Sequence, residues 1–189
     1  MKSFDYYLQK QRIAAVRPWI VPGATVLDIG SADGALFEAL GSHIARGIGI
    51  DPDVPAEMTI GRYTLMPGMV PDTDLPAAAF DCITMLAVLE HIPHASQQAL
   101  VEYCYGRLKD GGRVVITVPS PLVDYILVCL RWLRIIDAMS LEQHYGYHPG
   151  QTPVLFGAPY FRMLQHKRFQ LGLNNLYVFE KVAAGTIPS

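Results

Sequence analysis

The sequence predicts an α/β fold: a doubly wound, Rossmann-like and mostly parallel sheet with helices on both faces and a C-terminal antiparallel hairpin. Short apolar runs of strand character alternate with helical stretches, which is typical of open parallel sheets. The first run ends in a glycine turn that leads straight into a helix. Two short runs near the C-terminus flank a pair of asparagines, which favours a tight turn. The other strands are predicted at about residues 25–29, 46–50, 62–65, 81–85 and 113–118.

Length and composition favour one domain that acts on small molecules. The chain has 189 residues, of which 51% are hydrophobic, enough for a single core. Its net charge of −2 argues against nucleic acid as a partner, because non-specific binding to nucleic acid requires clustered cations. The first residues lack the pattern of a signal peptide, which favours the cytoplasm. Three cysteines without metal-ligand spacing are expected to be reduced core residues: Cys82, Cys104 and Cys129.

Apolar periodicity and end signals predict the first helices. One helix is expected over about residues 5–19, where apolar positions recur without an internal breaker until proline. Residues 51–55 leave room only for an abbreviated helix between the second and third strands. Residues 65–76 are rich in proline and acids and are expected to form a loop. Another helix is predicted from Ser96, a favourable N-cap residue, to Leu108, just before a Gly-Gly turn.

The C-terminal third contains a very apolar stretch over residues 121–139, which is too short and too charged to span a bilayer. Its broad apolar arc is expected to pack on the sheet or to cover the substrate cavity. Peripheral contact with a membrane interface and a homodimer interface stay open as alternatives. A helix is predicted over 156–166, and two strands over 168–173 and 176–181 are expected to be joined at Asn174–Asn175.

The segment from Val26 to Gly34 is the strongest functional signal in the sequence. It is an apolar strand followed by a turn, in which Gly30 and Gly34 allow the backbone to bend and to approach a ligand closely. A second apolar strand ends in Asp51. Because ligands bind outside the carboxyl ends of the strands in open α/β sheets, Asp51 is expected beside the turn, where its carboxylate can accept from a ribose diol. The two features together predict an adenosine-type ligand.

Two further segments with a recognisable pattern follow Asp51 along the chain. Residues 80–92 form an apolar strand that continues into Leu-Glu-His-Ile, and residues 108–119 form a helix end, a Gly-Gly turn and a strand. With the glycine turn and Asp51, they resemble the class I S-adenosylmethionine-dependent methyltransferase family, of the small-molecule type. The resemblance implies a single domain over 1–189, with an N-terminal helix over 1–20, a cofactor-binding core over 24–119, substrate-side helices and a loop over 120–168, and the closing hairpin over 168–182.

A nicotinamide or flavin dinucleotide is the competing ligand. Its turn carries Gly-x-Gly-x-x-Gly, so that the pyrophosphate can lie on a helix N-terminus. The present turn lacks that spacing. It also carries Asp28 and Asp33, which would repel a pyrophosphate and suit a cationic ligand. The charge therefore favours S-adenosylmethionine, whose ammonium and sulfonium groups are positive.

The resemblance assigns the cofactor contacts by position. The glycine turn is expected to hold the methionyl end, the end of the second strand the ribose, and the loop after the third strand the adenine. The loop after the fourth strand is expected to pass beside the methionine moiety. The expected cofactor contacts are Asp28, Gly30, Ser31, Ala32, Asp33, Gly34, Asp51, Pro52, Met69, Val70, Leu86 and Leu89.

The resemblance also places the methyl acceptor near the loop after the fourth strand. His91 is the candidate general base, because histidine titrates near neutrality. A role for His91 only in holding the loop stays open. No metal site is expected, because the histidines lack ligand spacing. Further acceptor contacts are expected from Tyr6, Tyr7, Glu90, His144, Tyr145, Tyr147 and His148.

The loop after the fourth predicted strand also distinguishes this chain from other classes of methyltransferase. A nucleic-acid amino-methyltransferase is expected to carry Asn/Asp-Pro-Pro-aromatic, and a cytosine-type enzyme a Pro-Cys nucleophile, where this chain has Leu86-Ala87-Val88-Leu89. A non-catalytic S-adenosylmethionine-binding or assembly subunit stays open, because different residues bind the cofactor and choose the acceptor. A protein methyltransferase is a weaker alternative. We therefore expect methyl transfer from S-adenosylmethionine to a small-molecule acceptor by in-line displacement.

Overall fold

A computed structural model describes residues 2–73, 75, 79–120 and 147–183 of the chain. Its strands are β1 (Ala24–Ile29), β2 (Ile44–Asp51), β3 (Met58–Ile60), β4 (Tyr63–Pro67), β5 (Phe80–Leu86), β6 (Leu108–Pro119), β7 (Phe161–Phe169) and β8 (Asn174–Lys181). Its α-helices are α1 (Lys2–Val16), α2 (Ala35–Leu40), α3 (His94–Arg107) and α4 (Thr152–Leu155).

The strands form one sheet in the order β3-β4-β2-β1-β5-β6-β8-β7. The five strands from β4 to β6 in this order run parallel, whereas β3, β8 and β7 pair antiparallel with their neighbours. The mostly parallel sheet and its closing hairpin are therefore confirmed. The chain leaves β1 toward β2 on one side and returns to β5 on the other. This reversal creates the switch point at which open α/β sheets bind ligands.

Helices cover both faces of the sheet, as predicted. On one face, Ile13 of α1 and Phe37 of α2 pack in a core cluster that includes Val26. On the other face, Leu100 of α3 packs in a second cluster that includes Leu27. Neighbouring residues of β1 thus enter opposite cores, because side chains alternate along a strand. Burial on both faces explains why the central strands are continuous apolar runs.

Strand β3 replaces the abbreviated helix that was expected between the second and third strands. Residues Met58–Ile60 pair antiparallel with β4 at the edge of the sheet, and all three are exposed. An exposed edge strand has no buried side-chain pattern, so the sequence carries little signal for it.

The structure also differs from the prediction at the start of α3. This helix begins at His94 after Pro93, and Ser96 lies inside it, so Ser96 is not the N-cap.

The C-terminal hairpin lies earlier in the sequence than predicted. The helix expected over 156–166 is wrong: α4 ends at Leu155, and β7 occupies Phe161–Phe169. The turn is formed by Gln170 and the residues after it, and the two asparagines belong to β8. A register shift after Met163 interrupts the alternation of β7. This irregularity and the largely exposed surface of β7 hide its strand pattern.

The apolar stretch over 121–139 lies outside the described residues. In the part of the chain that the structure describes, no helix has the length and apolarity that a membrane span requires.

Cys82 and Cys104 are free and buried, as predicted. Burial raises the pKa of the Cys82 thiol to about 12, so this group is an unreactive core residue. Cys129 lies outside the described residues.

Candidate active site

The turn after β1 requires glycine. Gly30 and Gly34 adopt positive φ angles of 75° and 76°, which cost a residue with a side chain about 1–2 kcal/mol. Gly30 is also closely packed, because a Cβ there would lie 2.2 Å from Cγ2 of Val88. The Gly30 N–H donates to the carbonyl of Ile50 at 2.8 Å. The turn thus connects the ends of β1 and β2 with the loop after β5.

Ala32 adopts the left-handed conformation although it is not glycine. Its φ is 44°, and its N–H donates to Oδ2 of Asp51 at 2.9 Å. A hydrogen bond to a carboxylate is stronger than one between neutral groups and offsets the unfavourable conformation. The turn therefore keeps its backbone path with alanine at this position.

Asp51 links three segments at the carboxyl end of β2. Besides the bond from Ala32, its Oδ1 accepts from the N–H of Asp53 at 2.9 Å. Its backbone carbonyl accepts from the N–H of Gly68 at 3.2 Å, which brings the loop after β4 to the same place. The Asp51 side chain is partly exposed. Because a carboxylate offers about four acceptor positions, capacity remains for the two hydroxyls of a ribose.

Asp28 is a buried carboxyl beside this turn. Thr84 Oγ1 on β5 donates to Asp28 Oδ1 at 2.6 Å, and only 3% of Asp28 is exposed. Burial raises the pKa of Asp28 to about 7; the bond from Thr84 lowers it, and the charge of Asp51 raises it. Asp28 can therefore gain or lose its proton near neutral pH.

Asp33 connects the glycine turn with α1. Its Oδ1 accepts from the N–H of Ala35 at 3.1 Å at the start of α2, and from Nε2 of Gln9 at 3.2 Å. The predicted N-terminal helix therefore lies beside the turn. Tyr6 and Tyr7, about one turn earlier on α1, are 55% and 56% exposed. Lys10 Nζ lies 4.3 Å from the centroid of the Tyr6 ring, and contact of the two tyrosines with the acceptor stays a prediction.

The loop after β5 contains half-buried and buried residues. Leu86 is half-buried, and Ala87 has a φ of 59°. The Leu89 side chain is fully buried in the core, and its contact with the cofactor stays a prediction. Glu90 is 3% exposed. His91 is half-buried, and its N–H donates to the Val88 carbonyl at 2.9 Å, which closes a short 3₁₀ turn.

The loop near residue 148 has a structural role that its composition did not indicate. Tyr147 is buried, and its hydroxyl shares a hydrogen bond of 2.8 Å with Thr152. Burial raises the pKa of Tyr147, and the charge of Glu90 adds to this shift. His148 Nδ1 accepts from the N–H of Gly150 at 3.2 Å and caps a 3₁₀ turn. Tyr147 thus packs in the interior and His148 caps a turn at the surface; contact of either residue with the acceptor stays a prediction.

The remaining expected acceptor contacts on this side, His144 and Tyr145, lie outside the described residues. Glu90 is nearly completely buried, and its charge acts on Tyr147; its contact with the acceptor stays a prediction. Within the described ranges, no group of three His, Cys, Asp or Glu side chains could hold a metal ion.

The loop after β4 lies on the other side of Asp51. Met69 is 61% exposed, and Val70 packs partly against the core. Thr73 Oγ1 donates to the Met69 carbonyl at 2.9 Å and stabilises the loop. Pro52 directly follows Asp51 and is exposed. Pro52, Met69 and Val70, the three cofactor contacts expected here, thus lie on segments that meet at the backbone of Asp51, and their contact with a cofactor stays a prediction.

The donor set of the turn fits S-adenosylmethionine. Ser31 is 4% exposed, and its Oγ has no hydrogen-bond partner among the described residues. It packs against Gly49, where a Cβ would lie only 2.6 Å from the Ser31 Oγ. The carboxyl groups of Asp28, Asp33 and Asp51 surround this turn and favour a positively charged ligand. Thr84 was not identified from the sequence, although a polar residue between Ile83 and Met85 in the apolar part of β5 was a signal for it.

Comparison with known proteins agrees with this geometry. Residues 1–154 match a family model described as a methyltransferase domain. A ubiquinone biosynthesis O-methyltransferase of Xylella fastidiosa is 34% identical over 133 residues, which cover 65% of this chain and 53% of that protein. A second protein of the same name, from Idiomarina loihiensis, is 32% identical over 156 residues, covering 78% of this chain and 56% of that protein. The chain spans about half the length of these curated relatives.

Solved structures share the fold at low sequence identity. The putative methyltransferase complexed with the Trm112 methyltransferase activator of Haloferax volcanii has a TM-score of 0.72 at 14% identity, covering 97% of this chain and 92% of that one. The N-methyltransferase NodS of Bradyrhizobium japonicum, in complex with S-adenosyl-L-homocysteine, has a TM-score of 0.63 at 17% identity, covering 92% and 87%. The family match extends over more than half of the chain. The chain belongs to the class I S-adenosylmethionine-dependent methyltransferase family.

Proposed function

We propose that this chain transfers a methyl group from S-adenosylmethionine to a hydroxyl oxygen of a small-molecule acceptor. The bridge formed by Asp51 carries the cofactor part of the proposal. Its carboxylate joins the glycine turn to the residues after β2, and its backbone carbonyl holds the loop after β4. The names of the two curated relatives support oxygen as the accepting atom. In this proposal the acceptor is a free small molecule, and the reaction takes place in the cytoplasm.

The residues of the turn would divide the cofactor between them. Asp51 would accept from the ribose hydroxyls, with Pro52 beside it, and Met69 and Val70 would cover the adenine. Leu86 would lie beside the methionine moiety. The methionyl end would be held by Asp28, Gly30, Ser31, Ala32, Asp33 and Gly34. Ser31 Oγ, without a partner among the described residues, is a suitable acceptor for the ammonium.

When bound, S-adenosylmethionine supplies a methyl group that is already activated as part of a sulfonium. The protein then needs to align the acceptor oxygen and remove its proton. We assign proton removal to His91, which is half-buried in the short turn after β5. Tyr6 and Tyr7 would contact the acceptor from α1, because the Gln9–Asp33 bond holds this helix beside the glycine turn.

Calorimetric titration tests the cofactor assignment first. S-adenosylmethionine, S-adenosylhomocysteine and NAD are each titrated into wild type, Asp51→Ala and Asp53→Ala. The last variant is a matched control, because Asp53 contributes its backbone N–H to the bridge and its side chain is exposed. We expect micromolar binding of the two sulfur compounds by wild type and Asp53→Ala, and strongly weakened binding by Asp51→Ala. A folded wild type that binds neither sulfur compound would contradict the proposal, and binding of NAD instead would indicate a dehydrogenase.

Catalysis is tested separately with tritiated S-adenosylmethionine and phenolic acceptors. Methylated product supports an enzyme. Tight cofactor binding without turnover of any hydroxyl, amine or thiol acceptor would instead support the non-catalytic binding subunit.

A further inference from the structure

A groove with a volume of about 470 Å³ lies between α1 and the edge strand β7. On the helix side, Ala14 and Ala15 line it with short side chains, and Trp19 lies in the turn that follows α1. Ala14 is exposed, and the other two residues are half-buried. Because alanine fills little volume, the helix leaves space between itself and the strand.

The strand side of the groove presents alternate residues of β7. Gln165, Lys167 and Phe169 are two positions apart, so their side chains share one face of the strand. On this face Phe169 packs against the core cluster that contains Leu176 of β8 and Ile13 of α1. The groove therefore joins an apolar surface to one amide and one ammonium group.

Hydrogen bonds hold both sides of the groove in place. Gln170, directly after β7, donates from Nε2 to the backbone carbonyl of Leu8 on α1 at 3.0 Å. Arg113 on β6 donates from Nη1 to the backbone carbonyl of Trp19 at 3.3 Å. The groove is thus formed before a ligand binds, which lowers the entropic cost of binding.

The polar groups of the groove select an anion. Among the described residues that line it, Lys167 is the one with a charge, and its side chain is exposed. No carboxylate in the described ranges forms an ion pair with it. Gln165 Nε2 donates to the His166 carbonyl at 3.3 Å, and this amide nitrogen carries a second N–H. An ammonium and an N–H on one face of a strand suit a carboxylate.

The apolar surface and the volume select an aromatic body. Trp19 and Phe169 offer ring faces on the two sides of the groove, and aromatic rings pack favourably against each other. A cavity of about 150 Å³ accommodates benzene. The volume of about 470 Å³ therefore has room for two fused rings and a carboxylate, and it lies in the range of small-molecule sites.

The groove is separate from the glycine turn. β7 lies four strands from β1 in the sheet, which corresponds to about 19 Å at the usual strand spacing. A two-ring ligand that contacts β7 does not reach that turn. We propose that the groove between α1 and β7 is a second binding site, for an aromatic carboxylate of about two rings. The carboxylate accepts from Lys167 and Gln165, and the rings pack between Trp19 and Phe169.

Calorimetric titration with 2-naphthoate tests this site on the wild type and on variants of two neighbouring residues. Lys167→Met removes the charge in the groove and keeps a side chain of similar length. Arg168→Met is the matched control, because it removes the same charge one position along β7, where the side chain lies on the opposite face. We expect Arg168→Met to bind within about twofold of wild type, and Lys167→Met about tenfold more weakly.

Two further ligands and one variant separate charge from packing. The neutral 2-naphthamide should bind wild type and Lys167→Met equally, and about tenfold more weakly than 2-naphthoate binds wild type. Octanoate carries the carboxylate on a flexible chain and should bind wild type more weakly than 2-naphthoate. Ala14→Phe fills the groove from an exposed position and should abolish binding of both naphthalene compounds, while circular dichroism shows that the variant is folded.

Several outcomes would overturn the inference. Equal losses in Lys167→Met and Arg168→Met would assign binding to the general positive charge of β7. A folded wild type that does not bind 2-naphthoate, or that binds octanoate more tightly, would exclude the aromatic carboxylate. Displacement of 2-naphthoate by S-adenosylhomocysteine would place it in the cofactor site.

The inference does not depend on the proposed function, and the two fail separately. A folded wild type that binds 2-naphthoate in the groove but does not bind S-adenosylhomocysteine overturns only the proposed function. One that binds S-adenosylhomocysteine but not 2-naphthoate overturns only the second site.

Discussion

Asp28 and Thr84 form a short hydrogen bond between neighbouring strands, with Thr84 Oγ1 donating to Asp28 Oδ1 at 2.6 Å. The two residues are 56 positions apart in sequence, and the parallel pairing of β1 with β5 brings them side by side. This contact lies directly beneath the glycine turn. Burial raises the pKa of Asp28 to about 7, although the bond from Thr84 lowers it, so this carboxyl responds to pH with consequences for stability and for ligand binding.

The stability of the protein should fall as pH rises from about 4 to 7. Burial raises the Asp28 pKa from 3.8 to about 7, so the folded state keeps a proton that the unfolded state releases. This contribution is complete below the unfolded pKa and is lost as pH rises through the folded one. Asp28→Asn, which can still accept from Thr84, should remove this contribution to the slope and gain roughly 2–4 kcal/mol at pH 7. Urea unfolding at a series of pH values measures both effects.

Asp33→Asn is the control for this measurement, because Asp33 is exposed. Its slope should match that of wild type. Equal slopes for Asp28→Asn and wild type would contradict a buried, titrating Asp28.

Binding of S-adenosylhomocysteine should strengthen as pH rises from 6 to 8. The ionised Asp28 attracts the ammonium of the ligand, whereas the protonated carboxyl does not. We expect an increase in affinity of about tenfold, with release of a proton on binding. Calorimetry in two buffers of different ionisation enthalpy measures the proton. If Asp28→Asn shows the same pH dependence as wild type, the effect comes from another group.

Gly30→Ala should destabilise the protein by about 2–4 kcal/mol. The added Cβ meets Val88 at 2.2 Å at a φ of 75°, so overpacking adds to conformational strain. Gly23→Ala is the matched control, because Gly23 has a φ of 78° and no atom within 4 Å of the added Cβ. It should cost only about 1–2 kcal/mol. Denaturant unfolding of both variants separates the cost of steric overlap from that of the positive φ angle. Equal losses in the free energy of unfolding would show that the Val88 side chain moves aside.

Ala32→Gly should stabilise the protein slightly. Glycine relieves the strain of the left-handed conformation, about 1–2 kcal/mol, and increases the entropy of the unfolded chain by about 0.4–1 kcal/mol. The net expectation is a gain of about 0.5 kcal/mol, with the bond from the backbone N–H to Asp51 retained. A loss of stability in chemical unfolding would indicate that the alanine methyl group makes a packing contact.

His91→Asn should lower kcat about 100-fold or more if His91 removes the proton of the acceptor. The decrease in kcat toward acidic pH should disappear, while the affinity for S-adenosylhomocysteine stays the same. A pH–rate profile of wild type and variant measures this. An unchanged profile with a raised KM would assign His91 to holding the loop.

The sequence by itself determined the features that depend on local chemistry. The positive φ angles of Gly30 and Gly34 need glycine, and the apolar runs of the central strands need burial on both faces. The acid at the end of β2 also follows directly, because strand ends meet at one edge of a parallel sheet. These signals are contained within a few neighbouring residues, so they can be interpreted without the fold.

The tertiary structure alone decided the features that depend on distant partners. Tyr147 and His148 have the chemistry of ligand contacts, and the structure shows that the Tyr147 hydroxyl bonds Thr152 and that His148 Nδ1 bonds Gly150. Leu89 lies in the expected loop but packs in the core. Thr117 is placed opposite Leu176 only by the register of β6 and β8. Burial and hydrogen bonding are properties of the surroundings of a side chain, and strand pairing between distant segments creates those surroundings.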